Sequence, residues 1–189
     1  MKPAFCVFLG AMICPMLVFG QGRETANLLR TDSTWKREQF KFPLGFAAQI
    51  PLLGKEEACF PAGWANKSSP EFWSYVFVWA VKTDVPVTEK ELKNYLKIYF
   101  DGLMGYQHTK VKLRSQKGRP GTSARYNGEV KTTDAFFSKK PMLLFVQVEN
   151  QFCEQAEQSY ISFRFSPKAL GQPIWEVLHA VELLEVCVE

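Results

Sequence analysis

The chain has 189 residues, 47% hydrophobic and 14% aromatic, with 23 basic against 19 acidic side chains for a net charge of +4. So much apolar material offsets the entropy of ordering, which excludes wholesale disorder, and the length suits one domain with a substantial core. The charge excess is too small to argue for a nucleic-acid partner.

Residues 1–20 read as a secretory signal peptide. Lys2 supplies a short positive start, residues 3–19 carry no charge, and Gly20-Gln21 offers a cleavage point with Val18 three residues before the cut. The competing reading is a membrane anchor. A spanning helix needs roughly 17–25 apolar residues, and Pro3, Gly10 and Pro15 interrupt this run. The expected product is exported, periplasmic or extracellular, and meets a membrane only through its signal. Cys6 and Cys14 fall within the signal, and Cys14 follows Met12-Ile13 rather than the small pair a lipoprotein needs. Cys59, Cys153 and Cys187 remain. In an oxidising compartment they form one disulfide plus one thiol, in any of three pairings, or stay as three buried thiols.

Residues 21–39 are polar and read as a flexible leader. Residues 40–189 then form one domain. It opens on an aromatic edge segment at 40–46, broken by Pro43 and Gly45, followed by a turn-rich loop over 54–70. Residues 72–81 (FWSYVFVWAV) are apolar on both alternating faces, which marks a central strand covered on each side. Thr88-Glu89-Lys90-Glu91 is a capping box. Behind it Leu92, Tyr95, Leu96, Tyr99 and Leu103 make the stripe of an amphipathic helix that Gly102 and Gly105 bring to an end. Four strands follow, at 108–116, 122–133, 142–149 and 159–165. Asn127-Gly128 has hairpin-turn chemistry, but alternation runs through it, so 122–133 is taken as one strand. After Pro173, the residues Ile174, Val177, Leu178, Val181 and Leu184 continue a helical stripe.

Consecutive strands demand antiparallel pairing, so the fold class is α+β: one antiparallel sheet of about six strands with a long amphipathic helix and a C-terminal helix packed on it. The element order, the FPLGF opening at 42–46, the capped helix after a strand and the closing PIWEVLHAVELL segment resemble the PsbP-like α/β/α domain over residues 40–186. The resemblance is one of topology and transfers no functional residue. It implies an exported or lumenal protein with a binding or assembly role. A cystatin-like or NTF2-like α+β cone is the main rival, since it also wraps a curved sheet around a helix.

For catalysis, a Ser or Cys nucleophile needs a base, and His108 and His179 are the two histidines. Cys59 with His108 is the one pair that would make a small secreted hydrolase or thiol enzyme, although neither lies in a nucleophile motif. No spacing suits a metal, and Glu56-Glu57 beside Cys59 reads as two solvated carboxylates on a loop. Arg119-Pro120 between Gly118 and Gly121 makes a turn, not a phosphate-binding loop. No cofactor is implied.

Two surfaces are candidates for binding. Lys110, Lys112, Arg114, Lys117, Arg119, Arg125 and Lys131 fall on outward positions of two neighbouring strands and their turn. They suit an anionic partner, and equally a charged face that keeps an edge strand from pairing with other chains. Phe60, Trp64 and Trp73 belong to a Gly/Pro-rich aromatic loop, where a large ring either packs down as a lid or meets a ligand. Asn66-Lys67-Ser68 in that loop fits a glycosylation sequon. The leading expectation is an exported, non-catalytic binding or assembly protein that uses these surfaces for a protein, an anionic ligand or an apolar one. A carrier of an apolar ligand is a further reading, with Trp73, Tyr75, Phe77, Trp79, Tyr95 and Tyr99 lining its pocket.

Overall fold

The chain was analysed as a computed structural model that describes residues 27–116, 123–184 and Cys187. The segment expected to be a signal peptide, the start of the expected leader, Lys117 and Arg119 lie outside the described residues. In chain order the elements are β1 (Leu29–Arg30), β2 (Lys36–Lys41), β3 (Gly54–Phe60), β4 (Tyr75–Lys82), α1 (Glu89–Met104), β5 (Lys110–Ser115), β6 (Ser123–Thr133), β7 (Pro141–Cys153), β8 (Gln158–Ser166), α2 (Ile174–His179) and β9 (Glu182–Leu183). Seven of these strands form one antiparallel sheet in the order β2-β3-β4-β8-β7-β6-β5, and β1 pairs with β9 in a separate ribbon.

The position of β4 follows from its composition. Tyr75, Phe77, Trp79 and Val81 are buried on one face, Val76 and Val78 on the other. Each face meets its own cover. The first packs under α1, whose Leu92, Tyr95, Leu96, Tyr99, Phe100 and Met104 are buried against it. The second packs under α2 and the ribbon, through Leu29, Cys59, Ile174, Trp175, Leu178 and Val181. Helices therefore lie on opposite sides of the sheet.

Local chemistry sets the ends of α1. The Thr88 hydroxyl accepts from the Glu91 amide at 3.3 Å, and the Glu91 carboxylate accepts from the Thr88 amide at 2.8 Å. Replacing Thr88 with alanine is expected to lower stability by about 1 kcal/mol, read as a shift of the urea midpoint without a change in slope. Gly105 closes the helix in the left-handed conformation at φ 71°. Gly102 lies inside α1 instead of ending it. A Cβ there would come within 1.7 Å of the Phe46 carbonyl oxygen, so this glycine lets the 43–50 segment lie on the helix.

Several expectations need correction. The sheet has seven strands rather than about six. The leader taken as flexible, residues 21–39, contains β1 and the first four residues of β2, and the loop taken to begin at Gly54 begins with β3. The C-terminal helix is only six residues long. Arg164 from β8 donates to the carbonyls of Leu178 at 3.0 Å and Val181 at 3.1 Å, placing a cation at the end of α2, and the chain then turns into β9. Residues 123–133 form one strand running through Asn127-Gly128, as expected. Of the three cysteine pairings, the structure has Cys153–Cys187, with a Cα–Cα distance of 5.6 Å, and Cys59 is a buried thiol.

Candidate ligand pocket

Between the α1 face of the sheet and the loop after β3 lies a cavity of about 350 Å³, lined on most sides by aromatic rings. The strand register brings its floor together. Glu56, Ala58 and Phe60 of β3 and Tyr75 of β4 line the cavity from the sheet, on the face where Phe77 and Trp79 pack into the core. Lys36, Glu38 and Phe40 of the edge strand β2 form one rim, and Tyr99 of α1 adds a wall.

The loop that roofs the cavity is a chain of tight turns. Amides of Trp64, Asn66, Ser69, Phe72 and Ser74 bond carbonyls three residues back, at 2.9–3.2 Å. The Glu71 carboxylate accepts from the Gly63 amide at 2.7 Å and draws the loop closed. The Trp73 amide bonds the Trp64 carbonyl at 3.0 Å. Trp73 itself has φ 56°, a left-handed conformation rare for a bulky side chain, and is 2% exposed. From the other side, Asp134 accepts from the amides of Phe136, Phe137 and Ser138 at 2.7–3.0 Å. Burial works to raise this carboxyl, but those hydrogen bonds outweigh it and hold it below the ordinary value. The turn it fixes presents Phe136 and Phe137 to Trp73, at ring-centroid distances of 5.7 and 5.6 Å.

Trp64 lies 4.9 Å from Phe60 and 5.7 Å from Trp73, centroid to centroid, so it packs down as a half-buried lid. Among the described residues, the indole N–H groups of Trp64 and Trp73 and the Tyr75 hydroxyl have no hydrogen-bond partner, and their atoms are closed off within the packed rings.

Glu56 is the acid of the pocket. It is fully buried and accepts from the Trp79 indole at 2.7 Å and the Tyr99 hydroxyl at 3.0 Å. Burial lifts its carboxyl from 4.5 to about 7 against the lowering effect of those two bonds, and Glu38 adds to the rise. The phenols of Tyr75 and Tyr99 are pushed well above their ordinary value by burial and by Glu56.

The sequence reading of Glu56-Glu57 as solvated loop carboxylates is therefore overturned. Both lie on β3, both are fully buried, and they point to opposite faces. Glu57 accepts from the Leu28 and Leu29 amides at 2.9 and 3.0 Å, from Gln39 at 2.9 Å and from the Arg37 guanidinium. Its role is to tie β1 and β2 to the sheet.

Of the residues singled out from sequence, Phe60, Trp64 and Trp73 converge on the cavity. Cys59 and His108 do not meet. Cys59 is buried under α2 on the far face, and β3 and β5 stand five strand spacings apart, about 24 Å. Burial pushes the Cys59 thiol up to about 11, which opposes thiolate formation. His108 is exposed and bonds the Thr133 hydroxyl at 2.8 Å. His179 ends α2 and bonds Gln147.

Lys110, Lys112, Arg114, Arg125 and Lys131 are exposed on β5 and β6, on the α2 side of the sheet. Glu129 stands opposite Lys112, and Glu149 accepts from Arg125 at 2.8 and 3.0 Å, so acids interrupt the strip. Among the described residues no three His, Cys, Asp or Glu side chains gather to hold a metal, and no helix is long and apolar enough to cross a membrane. No protein-family model, curated protein or solved structure matches this chain.

Sequence reasoning missed Glu56, Phe136 and the rim formed by β2. The alternation of Glu56, Ala58 and Phe60 was the available signal, masked by Gly54, Lys55 and the Glu pair at the start of the strand.

Proposed function

We propose that this chain is an exported, non-catalytic binding protein that holds a small, largely apolar ligand in the aromatic pocket beneath the Trp64 loop. The observation that carries the reading is a cavity of about 350 Å³ lined largely by aromatic rings, with the buried acid Glu56 among them. The topological resemblance to PsbP-like domains, which mostly bind or assemble, points the same way. Export rests on residues 1–20, and the separation of Cys59 from His108 removes the one thiol–base pair that favoured an enzyme.

The test is titration with the apolar dye N-phenyl-1-naphthylamine, read by its emission and by quenching of tryptophan. One dye per chain is expected, with a Kd of about 10 μM or tighter. Ala65 is exposed and lines the pocket. Its replacement by tryptophan blocks the mouth without disturbing the core, and is expected to weaken the dye at least about tenfold while moving Tm by only about 2 °C. No binding to the parent, or equal binding to the variant, contradicts the reading.

A further inference from the structure

We propose that a polar cavity on the α2 face of the sheet, opposite the aromatic pocket, is a second binding site that takes a small anionic sugar, its acid group seated on Arg164 and Arg125. The cavity has a volume of about 360 Å³, and its walls include Arg125, Asn127, Gln147, Glu149, Arg164 and His179. Strand register assembles it. Asn127 of β6 stands opposite Gln147 of β7, which stands opposite Arg164 of β8, and Arg125 stands opposite Glu149 in the adjacent row on that face. His179 at the end of α2 closes one side and bonds Gln147. Arg125 and His179 are exposed and the other four are half-buried, so each offers surface to a ligand.

Arg164 decides the charge of the ligand. Its Nε and Nη2 donate to the carbonyls of Leu178 and Val181, while Nη1 only approaches the Ser162 hydroxyl at 3.5 Å. Among the described residues no carboxylate forms an ion pair with it. The acid of the cavity, Glu149, is already taken: one of its oxygens accepts from Nε and Nη2 of Arg125 at 3.0 and 2.8 Å, and neither bond uses Nη1 of Arg125. Burial lowers the Arg164 pKa, with Glu149 acting against that and Arg125 with it. A half-buried cation without a counter-charge is costly, and a carboxylate or phosphate relieves it through charge-assisted hydrogen bonds. The lining carries two guanidiniums against one carboxylate, and Arg114, opposite Asn127, extends the positive row. The rest of the wall decides the body. The amides of Gln116, Asn127 and Gln147 both donate and accept, which matches sugar hydroxyls. An apolar body would bury those amides unpaired, an ammonium would be repelled by Arg164, and a neutral sugar would leave its charge unanswered.

The two histidines of the chain make the test direct. His179 lines the cavity, while His108 bonds Thr133, six residues along β6 from Asn127 and so about 20 Å away. The full exported chain is titrated with D-glucuronate, glucose 6-phosphate, glucose and inorganic phosphate, and the ring-proton NMR signals of both histidines are followed. At least one anionic sugar is expected to move His179 saturably, with a Kd of about 1 mM or tighter. Glucose and phosphate should bind at least about tenfold more weakly, and His108 should stay in place. Asn127→Asp keeps the side-chain size and adds a second acid to the cavity, and should weaken the anionic sugar at least about tenfold while moving Tm by only about 2 °C. Arg164→Gln should abolish the His179 shift. Because Arg164 also holds the end of α2, Asn127→Asp decides the matter where that variant folds poorly. No saturable His179 shift with either anionic sugar, equal binding of glucose or of phosphate alone, or unchanged affinity in Asn127→Asp overturns the site. The dye titration of the aromatic pocket is independent, so either site stands or falls alone.

Discussion

Glu57→Ala should lower the unfolding free energy by about 3–5 kcal/mol, the largest single-site loss expected outside the aromatic core. The carboxylate is fully buried and accepts from the amides of Leu28 and Leu29 and from Arg37 and Gln39. Truncation leaves two backbone N–H groups without an acceptor and removes the counter-ion of a mostly buried guanidinium. The loss spreads, because β1 pairs with β9 and Leu29 packs with Trp175, Leu178 and Val181. Urea denaturation measures the total, and hydrogen exchange should show lost protection at Leu28 and Leu29. A cost below about 1 kcal/mol would reduce this carboxylate to an ordinary surface ion pair.

Glu56 should give a pH dependence of the opposite kind to that of most carboxylates. In the unfolded chain it titrates at its ordinary 4.5, and in the folded chain at about 7. Between those values only the folded chain holds the proton. Unfolding then releases it, and stability falls as pH rises through the window. The groups facing the carboxyl are Trp79 and Tyr75 from β4, Tyr99 from α1 and Glu38 from β2, with Lys36 also lining the cavity. The stability of the parent relative to Glu56→Gln should fall by on the order of 3 kcal/mol from pH 4.5 to pH 8. Thermal or urea denaturation of both proteins across that range checks it, and parallel curves would mean that Glu56 stays solvated.

Legibility from sequence followed the reach of each interaction. The central strand β4 and helix α1 were readable because their signals are local: apolar residues on both alternating faces in one, a capping box and a regular stripe in the other. The ribbon was not readable. Leu29 and Arg30 form a strand only because Glu57 and β9, distant in sequence, hold them there. Helix α2 was overestimated because Val181 and Leu184 keep the helical period, while Arg164 and the return to β1 end the helix after His179. The same limit applied to the site. Aromatic rings in a Gly/Pro loop drew notice at Phe60, Trp64 and Trp73. Glu56 did not, since its burial comes from partners on β4 and α1 that no local pattern reveals.

The most direct measurement is the set of indole N–H signals in a nitrogen-15 correlation spectrum of the folded protein. The chain has five tryptophans. On saturation with N-phenyl-1-naphthylamine, the Trp64 and Trp73 signals should shift in the ring currents of the bound dye, while those of Trp35 and Trp175 on the far side of the sheet stay in place. Unmoved Trp64 and Trp73 signals at full occupancy would contradict the account.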